Sequence, residues 1–347
     1  MPPPQQQLYH LHELAYRTQY AELKERSRAA GLLLPGTPGM LHERVGTGHA
    51  YWYRVYYSAP GRQAESFVGG ANDTTALSLA RDRIEFAKWG AKQVSDLRKL
   101  AFQVADKSVG RVLVELHNAG TFEAGLTLVG TLCYMAWLNE FGARAIAVRT
   151  QDVDLARRQR LNLAAPLSFM QTVQATLLPF VAVPGLPSRS PPTSVKLPGR
   201  EGLRIDLLAP GRALGTTLAI PELKWHAQAV PHYDYLLEDP IPAAVLAGGH
   251  CIPVRLPRPD RWVWHKLYSS ASRQGFPEKA DKDLLQAVTL AALLTEQGDE
   301  AIGESLDDAP AALRTAARKR LPAIRRALVS HPQTLEQFEL SLGRSTR

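Results

Sequence analysis

The chain has few cysteines, no long apolar run and no recognisable leader, and each absence excludes a class of protein. Its two cysteines, Cys133 and Cys251, both lie in apolar neighbourhoods, which excludes a disulfide framework and a zinc site built from cysteines. No apolar run approaches the roughly 18 residues that a membrane span requires. The opening MPPPQQQ has neither the basic nor the apolar part of a secretion signal. We therefore expect a soluble protein of the reducing cytoplasm, with no membrane partner.

The composition that remains is that of a globular protein with a basic surplus. Of the 347 residues, 45% are apolar and 21% are charged, which is enough for two or three domains with their own cores. Lys and Arg number 41 and Asp and Glu 33, so the formal net charge is +8, and the surplus falls within residues 1–120 and 307–347. Such a surplus favours a polyanionic partner without identifying one.

The N-terminal third combines helical and β patterns. Apolar residues at helical spacing predict a helix over 8–30 and one long helix, or two stacked ones, over 74–107. Between them, the aromatic-rich segment 50–57 and the segment 65–69 flank a Pro-Gly turn, which predicts a β-hairpin. The aromatic side chains of this hairpin could stack on unpaired bases. Packing of one hairpin face on the long helix is the alternative that we favour, because a two-stranded ribbon needs such support.

The middle of the chain alternates strands and helices, and the last part is helical. Residues 184–202 are rich in Pro, Ser and Gly and are predicted to be largely loop. Predicted helices cover 109–118 and 131–140, and predicted strands cover 126–129, 152–155, 204–208, 243–247 and 250–256. We expect an α+β protein with three domains: N-terminal helices and hairpin (1–119), a small mixed-sheet core (120–256) and a helical C-terminal domain (257–347).

Three aspartates in two of these strands form the main candidate site. Asp152 and Asp154 are two residues apart, so strand alternation places both carboxylates on one face. Asp206 lies in an equally apolar strand, and if the two strands are neighbours, the three carboxylates converge. Like charges at that spacing repel one another unless a cation neutralises them. Because oxygen ligands select hard ions, we expect Mg²⁺ or Mn²⁺ on Asp152, Asp154 and Asp206.

Gly130 and Thr131 close an apolar strand and open a helix upstream of these acids. Glycine allows the backbone to approach a ligand closely, and a helix N-terminus with a neighbouring hydroxyl attracts phosphate. An anion site on one side and a cation site on the other are what a nucleoside triphosphate requires. We therefore interpret Gly130 and Thr131 as nucleotide-binding residues.

The segments LTLVGT (126–131), TQDVDL (150–155) and LRIDLL (203–208) resemble the nucleotidyltransferase superfamily typified by DNA polymerase beta. PDRWVWHKL (259–267) and KADKDLLQA (279–287) resemble the His-Lys-Leu and Lys-Asp motifs of bacterial stand-alone nucleotidyltransferases related to the AbiEii and MenT types of toxin. The aromatic hairpin resembles the N-terminal extension of that group. The resemblance covers pieces of residues 50–295.

The resemblance implies transfer of a nucleotidyl group from a nucleoside triphosphate to an acceptor hydroxyl, with two metal ions stabilising the entering and leaving oxygens. It implies that Asp152 and Asp154 bind both metals, whereas Asp206 binds the catalytic one and can take the acceptor's proton. Lys266, Lys282 and Arg149 are then candidates for neutralising the triphosphate, and Asp283 for orienting Lys282 or Lys279. Lys266 can equally be a helix residue whose ammonium group simply reaches water.

Several functional alternatives stay open at this point. The basic ends favour RNA as the acceptor, with a tRNA end suggested by the toxin relatives, but a protein acceptor is also compatible. Gly130 lies 22 positions before Asp152, a longer gap than in the common motif, which leaves a non-catalytic protein that binds nucleotide or nucleic acid. A toxin would bring an antitoxin as partner, and self-association is a further possibility.

Overall fold

A computed structural model describes residues 7–46, 48–59, 61–146, 150–273, 275–298 and 301–343. The helices are α1 (Leu14–Ala29), α2 (Thr74–Lys99), α3 (Lys107–Asn118), α4 (Gly130–Glu140), α5 (Phe169–Gln174), α6 (Tyr233–Leu236), α7 (Pro259–Ser272), α8 (Pro277–Glu296), α9 (Ala301–Asp307), α10 (Ala311–Ala327) and α11 (Pro332–Gly343). The strands are β1 (Tyr9–Leu11), β2 (Met40–Val45), β3 (Ala50–Ala59), β4 (Arg62–Gly70), β5 (Val104–Ala105), β6 (Thr127–Val129), β7 (Ala143–Ala145), β8 (Asp152–Ala156), β9 (Val181–Val183), β10 (Ser194–Lys196), β11 (Arg204–Pro210), β12 (Thr217–Ile220), β13 (Trp225–Val230), β14 (Ile241–Ala247) and β15 (His250–Leu256). The predicted mixed α+β fold is confirmed.

The central sheet has seven strands of mixed direction. β8 pairs with β6 on one side, antiparallel, and with β11 on the other, parallel. Beyond β11 lie β10 and β9, both antiparallel, and β13 with β12 continues from the end of β11. Ile205, Leu207 and Val153 are fully buried on one face of this sheet, because strand alternation sends them to the core and the intervening polar residues to the other face.

The N-terminal region contains a three-stranded antiparallel sheet, β2-β3-β4, rather than the predicted two-stranded hairpin. The predicted hairpin strands are β3 and β4, and β4 packs against α2. β2 was not predicted because five of its six residues are exposed, so it has no apolar alternation. Arg54 lies on the inner face and donates hydrogen bonds to the backbone oxygens of Pro35, Thr37 and Pro38, so it tethers a loop instead of contacting a ligand.

A third sheet connects the N-terminal helices to the middle of the chain. β14 pairs with β15, antiparallel, and with the short β5, parallel. Side chains of α1 and α2, including Leu23 and Leu97, pack with Leu246 and Cys251 of this sheet in one apolar cluster. α2 ends at Lys99, earlier than the predicted 107, because Ala101 adopts a left-handed φ of 68° before β5 begins.

The C-terminal part is helical as predicted, and its helices begin at prolines as the sequence indicates. Pro277 and Pro332 are the first residues of α8 and α11, and Pro310 caps α10, in keeping with the fixed φ of proline. One large hydrophobic cluster extends from Tyr9 to Leu342 and includes Trp262 and Trp264 of α7. The division into domains at residues 120 and 257 stays a prediction. Within the described ranges, no helix is both long and apolar enough to cross a membrane.

Candidate active site

The structure places the three predicted aspartates on adjacent strands and on one face. In the parallel β8-β11 pair, Asp154 lies directly opposite Asp206, and Asp152 lies opposite Arg204. Paired residues of neighbouring strands point to the same side, and strands lie about 4.8 Å apart. Asp206 is therefore the immediate neighbour of Asp154, which satisfies the condition that the sequence left open.

Gly130 fixes the position of Asp154 from the other side. Val129, the last residue of β6, pairs with Asp154, and α4 begins at the next residue. Gly130 has a φ of +69°, and a Cβ there would lie 2.0 Å from Oδ2 of Asp154. Only glycine allows this approach, so the start of α4 and the Asp154 carboxylate form one compact unit. Thr131 follows in the first turn of the same helix.

The electrostatic setting of Asp154 is unusual for an aspartate. Burial raises the pKa of its carboxyl to about 6, and the charges of Asp206 and Asp152 act in the same direction, opposed by Lys266 and Arg204. Within the described part of the chain, its carboxylate receives no hydrogen bond and no ion pair. A shifted pKa together with an unpaired charge is typical of functional sites.

Asp206 has two protein partners of its own. The guanidinium of Arg204 contacts both carboxylate oxygens, at 2.9 and 3.0 Å from Nε, and the Ser194 hydroxyl donates to the same carboxylate. Arg204 also donates to the Ser194 hydroxyl oxygen at 2.9 Å. Asp206 is thus neutralised by its own strand, whereas Asp154 is not.

Lys266 reaches this face from α7 and is buried, so the interpretation that it extends into water is wrong. Its Nζ lies 2.7 Å from Oδ1 of Asp283, whose second oxygen lies 2.6 Å from Nε of Arg273. Asp283 therefore holds Lys266 and Arg273, and not Lys282 or Lys279 as the sequence suggested. The positive charge of Lys266 opposes the rise in the pKa of Asp154. Lys266 therefore lies on the side of α7 that faces the aspartates.

The other predicted nucleotide-binding residues have mixed outcomes. Lys282 lies on α8 beside Asp283, and partial desolvation together with the Lys266 charge lowers the pKa of its ammonium group, while Asp283 and Asp152 oppose this. The influence of Asp152 puts Lys282 on the same side of the molecule as the acids. Arg149 lies outside the described residues, so its predicted role stays a prediction.

Three further residues at the site, Arg204, Ser194 and Tyr233, were missed by the sequence analysis, whereas His265 was noted there as part of the His-Lys-Leu motif. Arg204 and Ser194 hold Asp206, as described above. Tyr233 is buried, and burial and then the Asp154 charge raise the pKa of its hydroxyl. The ring of His265 packs edge-on against Tyr233 at 5.1 Å, and burial lowers the pKa of His265 to about 3, so this imidazole is neutral. Arg204 could have been found from its two-residue spacing to Asp206, but Tyr233 and Ser194 carry no local signal.

The face of the central sheet that carries the three aspartates offers a divalent cation only part of a ligand set. No group of three or more His, Cys, Asp or Glu side chains is arranged to hold a metal ion in the part of the chain that the structure describes. Asp152 and Asp154 supply oxygen donors that fit Mg²⁺ or Mn²⁺, and Asp152 is exposed. Arg204 and Ser194 occupy part of the acceptor capacity of Asp206. The donor chemistry therefore fits the expected cation best at Asp152 and Asp154.

The comparisons with known proteins give a family match and a similar solved structure. A crystal structure of an antigenic nucleotidyltransferase-like protein from Paracoccidioides brasiliensis is similar at 17% identity and a TM-score of 0.36, over 67% of this chain and 93% of that chain. No curated protein gives a match. The family described as nucleotidyltransferase matches residues 107–310, a range that includes Gly130, the three acids and both lysines. Because this range covers more than half of the 347 residues, the chain belongs to the nucleotidyltransferase family.

Proposed function

We propose that the protein transfers a nucleoside monophosphate from a nucleoside triphosphate to an acceptor hydroxyl, with release of pyrophosphate, in a reaction that depends on Mg²⁺. Family membership supports nucleotidyl transfer and implies a nucleotide substrate. The observation that carries the proposal is the side-by-side placement of Asp154 and Asp206, with Gly130 packed against the Asp154 carboxylate.

Each residue of the site has a role in this proposal. Asp152 and Asp154 would hold the cation, and Asp206, once released from Arg204, would join them and accept the proton of the attacking hydroxyl. A bound Mg²⁺ would supply neutralisation of the negative charge that develops on the phosphoryl oxygens. Lys266 and Lys282 neutralise the rest of the triphosphate, as ammonium groups commonly do. The start of α4, with Gly130 and Thr131, offers backbone donors to a phosphate.

For the acceptor, we favour RNA over protein because the basic surplus lies outside the acid strands, in the terminal segments. A toxin role with an antitoxin partner rests on the resemblance to AbiEii-type toxins. Its test is growth inhibition on expression that disappears with Asp152→Ala.

Transfer of label from α-labelled nucleoside triphosphates to the RNA or protein of a cell lysate, with Mg²⁺ present, tests the proposal. Asp154→Asn is expected to lower the rate by about 10³-fold, since loss of a metal ligand removes several kcal/mol of transition-state stabilisation. Asp281→Asn, on the exposed side of α8, is the matched control and keeps full activity. Ribonuclease or protease digestion of the labelled product identifies the acceptor. Absence of labelling, together with absence of triphosphate binding, would contradict the proposal.

A non-catalytic nucleotide-binding role is the second candidate, and the Arg204–Asp206 ion pair favours it. An arginine that permanently neutralises the third acid removes the base that transfer needs. Calorimetry with Mg²⁺ and a nucleoside triphosphate separates the two candidates. Tight binding without turnover, unchanged by Asp206→Asn, supports the non-catalytic role, whereas turnover that Asp206→Asn abolishes supports transfer.

A further inference from the structure

A cavity of about 390 Å³ lies between α2, the start of α3, the β14-β15 turn and the loop before β2. It is separate from β8 and β11, which carry the three aspartates and are called the acid strands below. Its walls include Tyr57, Thr37, Lys107 and Arg111 and the backbone of the β14-β15 turn. It is large enough for a phosphate group together with part of the molecule that carries it. None of these residues belongs to the proposed transfer site.

The charges around this cavity have one sign. Lys107 and Arg111 are four residues apart on α3, so they lie on the same side of the helix, and no Asp or Glu is among the described residues that line the cavity. Arg111 is half-buried and makes no hydrogen bond or ion pair within the described ranges. Burial lowers the pKa of its guanidinium, but an arginine stays charged. Glu115, one turn further along α3, lines a neighbouring cavity together with Arg111 and is not among the residues that line this one.

An unpaired guanidinium at a concave surface is costly unless an anion completes it. A half-buried cation without a partner loses hydration that no protein group replaces. Protein cavities that hold phosphate commonly supply an arginine, a lysine and nearby backbone donors, and the planar guanidinium binds two phosphate oxygens at once.

The turn between β14 and β15 shapes the cavity around these cations. Gly248 and Gly249 have φ values of +57° and +93°, and a Cβ on Gly248 would lie 3.1 Å from Cα of Lys107. The glycine turn therefore lies directly against the first residue of α3. The half-exposed ring of Tyr57 forms another wall, and it can cover the uncharged part of a ligand.

We infer that this cavity binds a phosphate group through Arg111 and Lys107, as a site distinct from the acid strands. The phosphate can come from a small phosphorylated molecule or from the end of an RNA strand. Asp106, next to Lys107, lies 3.5 Å from the side chain of Gln151, next to Asp152, so a strand held in the cavity can extend to the acids. Phosphate binding itself does not depend on the proposed transfer reaction.

The test is binding to the full chain with EDTA present, so that the acid strands hold no cation. The probes are inorganic phosphate and two short oligoribonucleotides of the same sequence, one with a phosphate and one with a hydroxyl at the 5′ end. Calorimetry measures the affinity for each probe. Arg111→Gln is expected to weaken binding of inorganic phosphate at least tenfold, because it removes a charged, bidentate partner. Lys107→Gln is expected to weaken it several-fold. Lys319→Gln removes one charge from the exposed face of α10 and serves as the charge-matched control, with unchanged affinity for inorganic phosphate.

Each outcome decides the inference or identifies the source of the phosphate. The inference is overturned if the wild-type protein does not bind phosphate, or if Arg111→Gln binds it equally well. Either result counts against the phosphate site independently of the result of the transfer assay. If Arg111→Gln does not fold by circular dichroism, Lys107→Gln decides, because that side chain is exposed. A preference for the 5′-phosphorylated oligoribonucleotide over both its 5′-hydroxyl counterpart and inorganic phosphate supports the inference and assigns the site to RNA. Equal affinity for inorganic phosphate and the phosphorylated strand supports it and assigns the site to a small ligand.

Discussion

Asp154 in the central sheet is half-buried and Asp283 in the helical part is buried, and their surroundings differ. Asp283 is bound on both oxygens, by Lys266 and Arg273. Asp154 has no partner within the described residues, and burial raises its pKa to about 6. A buried charge that is fully paired joins two helices, whereas one left unpaired costs stability and is retained where a ligand completes it. The comparison separates a structural acid from the acid that we propose to be functional.

The largest effect is expected from Asp283→Asn, which removes the negative charge shared by Lys266 and Arg273. Breaking a buried pair leaves uncompensated cations, so the free energy of unfolding should fall by about 3 to 5 kcal/mol. Denaturant unfolding measures it. Asp281→Asn, two residues earlier on α8 and 75% exposed, should change it by no more than about 0.5 kcal/mol. Equal effects of the two substitutions would remove the distinction between a structural and a surface acid.

Gly130→Ala tests how tightly Asp154 is held. Gly120 has the same φ of +69°, but a Cβ there would meet nothing within 4 Å, whereas at Gly130 it would overlap the Asp154 carboxylate. Gly120→Ala should therefore cost only the left-handed strain, about 1 kcal/mol. Gly130→Ala should cost about 2 to 4 kcal/mol, since overpacking adds to that strain. The double variant Gly130→Ala with Asp154→Ala should recover most of the difference in thermal unfolding, and no recovery would mean that the two residues are not in contact.

Asp154→Asn should stabilise the protein in the absence of metal. The pKa of this carboxyl is raised in the folded state, from 3.8 to about 6, so the folded protein pays for its ionisation as the pH rises through that range. Removing the charge should increase the free energy of unfolding by about 3 kcal/mol at pH 7. The gain should vanish below about pH 3, where the carboxyl is protonated in both the folded and the unfolded state. Asp152→Asn, at an exposed position, is the control, and a gain that does not depend on pH would contradict the assignment.

The sequence predicts the parts of the site that depend on local pattern. Strand alternation places Asp152 and Asp154 on one face, and Gly130 is recognisable as the junction between a strand and a helix. The pairing of β8 with β11 is a long-range contact that no local pattern encodes, so the position of Asp206 became definite only in the structure. The same limit explains β10, a three-residue strand within a Pro-, Ser- and Gly-rich segment, which forms through pairing with β9 and β11. The alternative that Lys266 reaches water is wrong because its partner Asp283 lies on the next helix, a pairing that no local pattern indicates.

Titration with Mn²⁺, followed by electron paramagnetic resonance of the free ion, tests the central claim most directly. We propose that a divalent cation completes the unpaired carboxylate of Asp154. The wild-type protein and Asp281→Asn are expected to bind Mn²⁺ with equal affinity at pH 7.5, and Asp154→Asn is expected to bind it at least about tenfold more weakly, which corresponds to ~1.4 kcal/mol. Equal affinity in the wild-type and Asp154→Asn proteins, or no binding by the wild type, would contradict it.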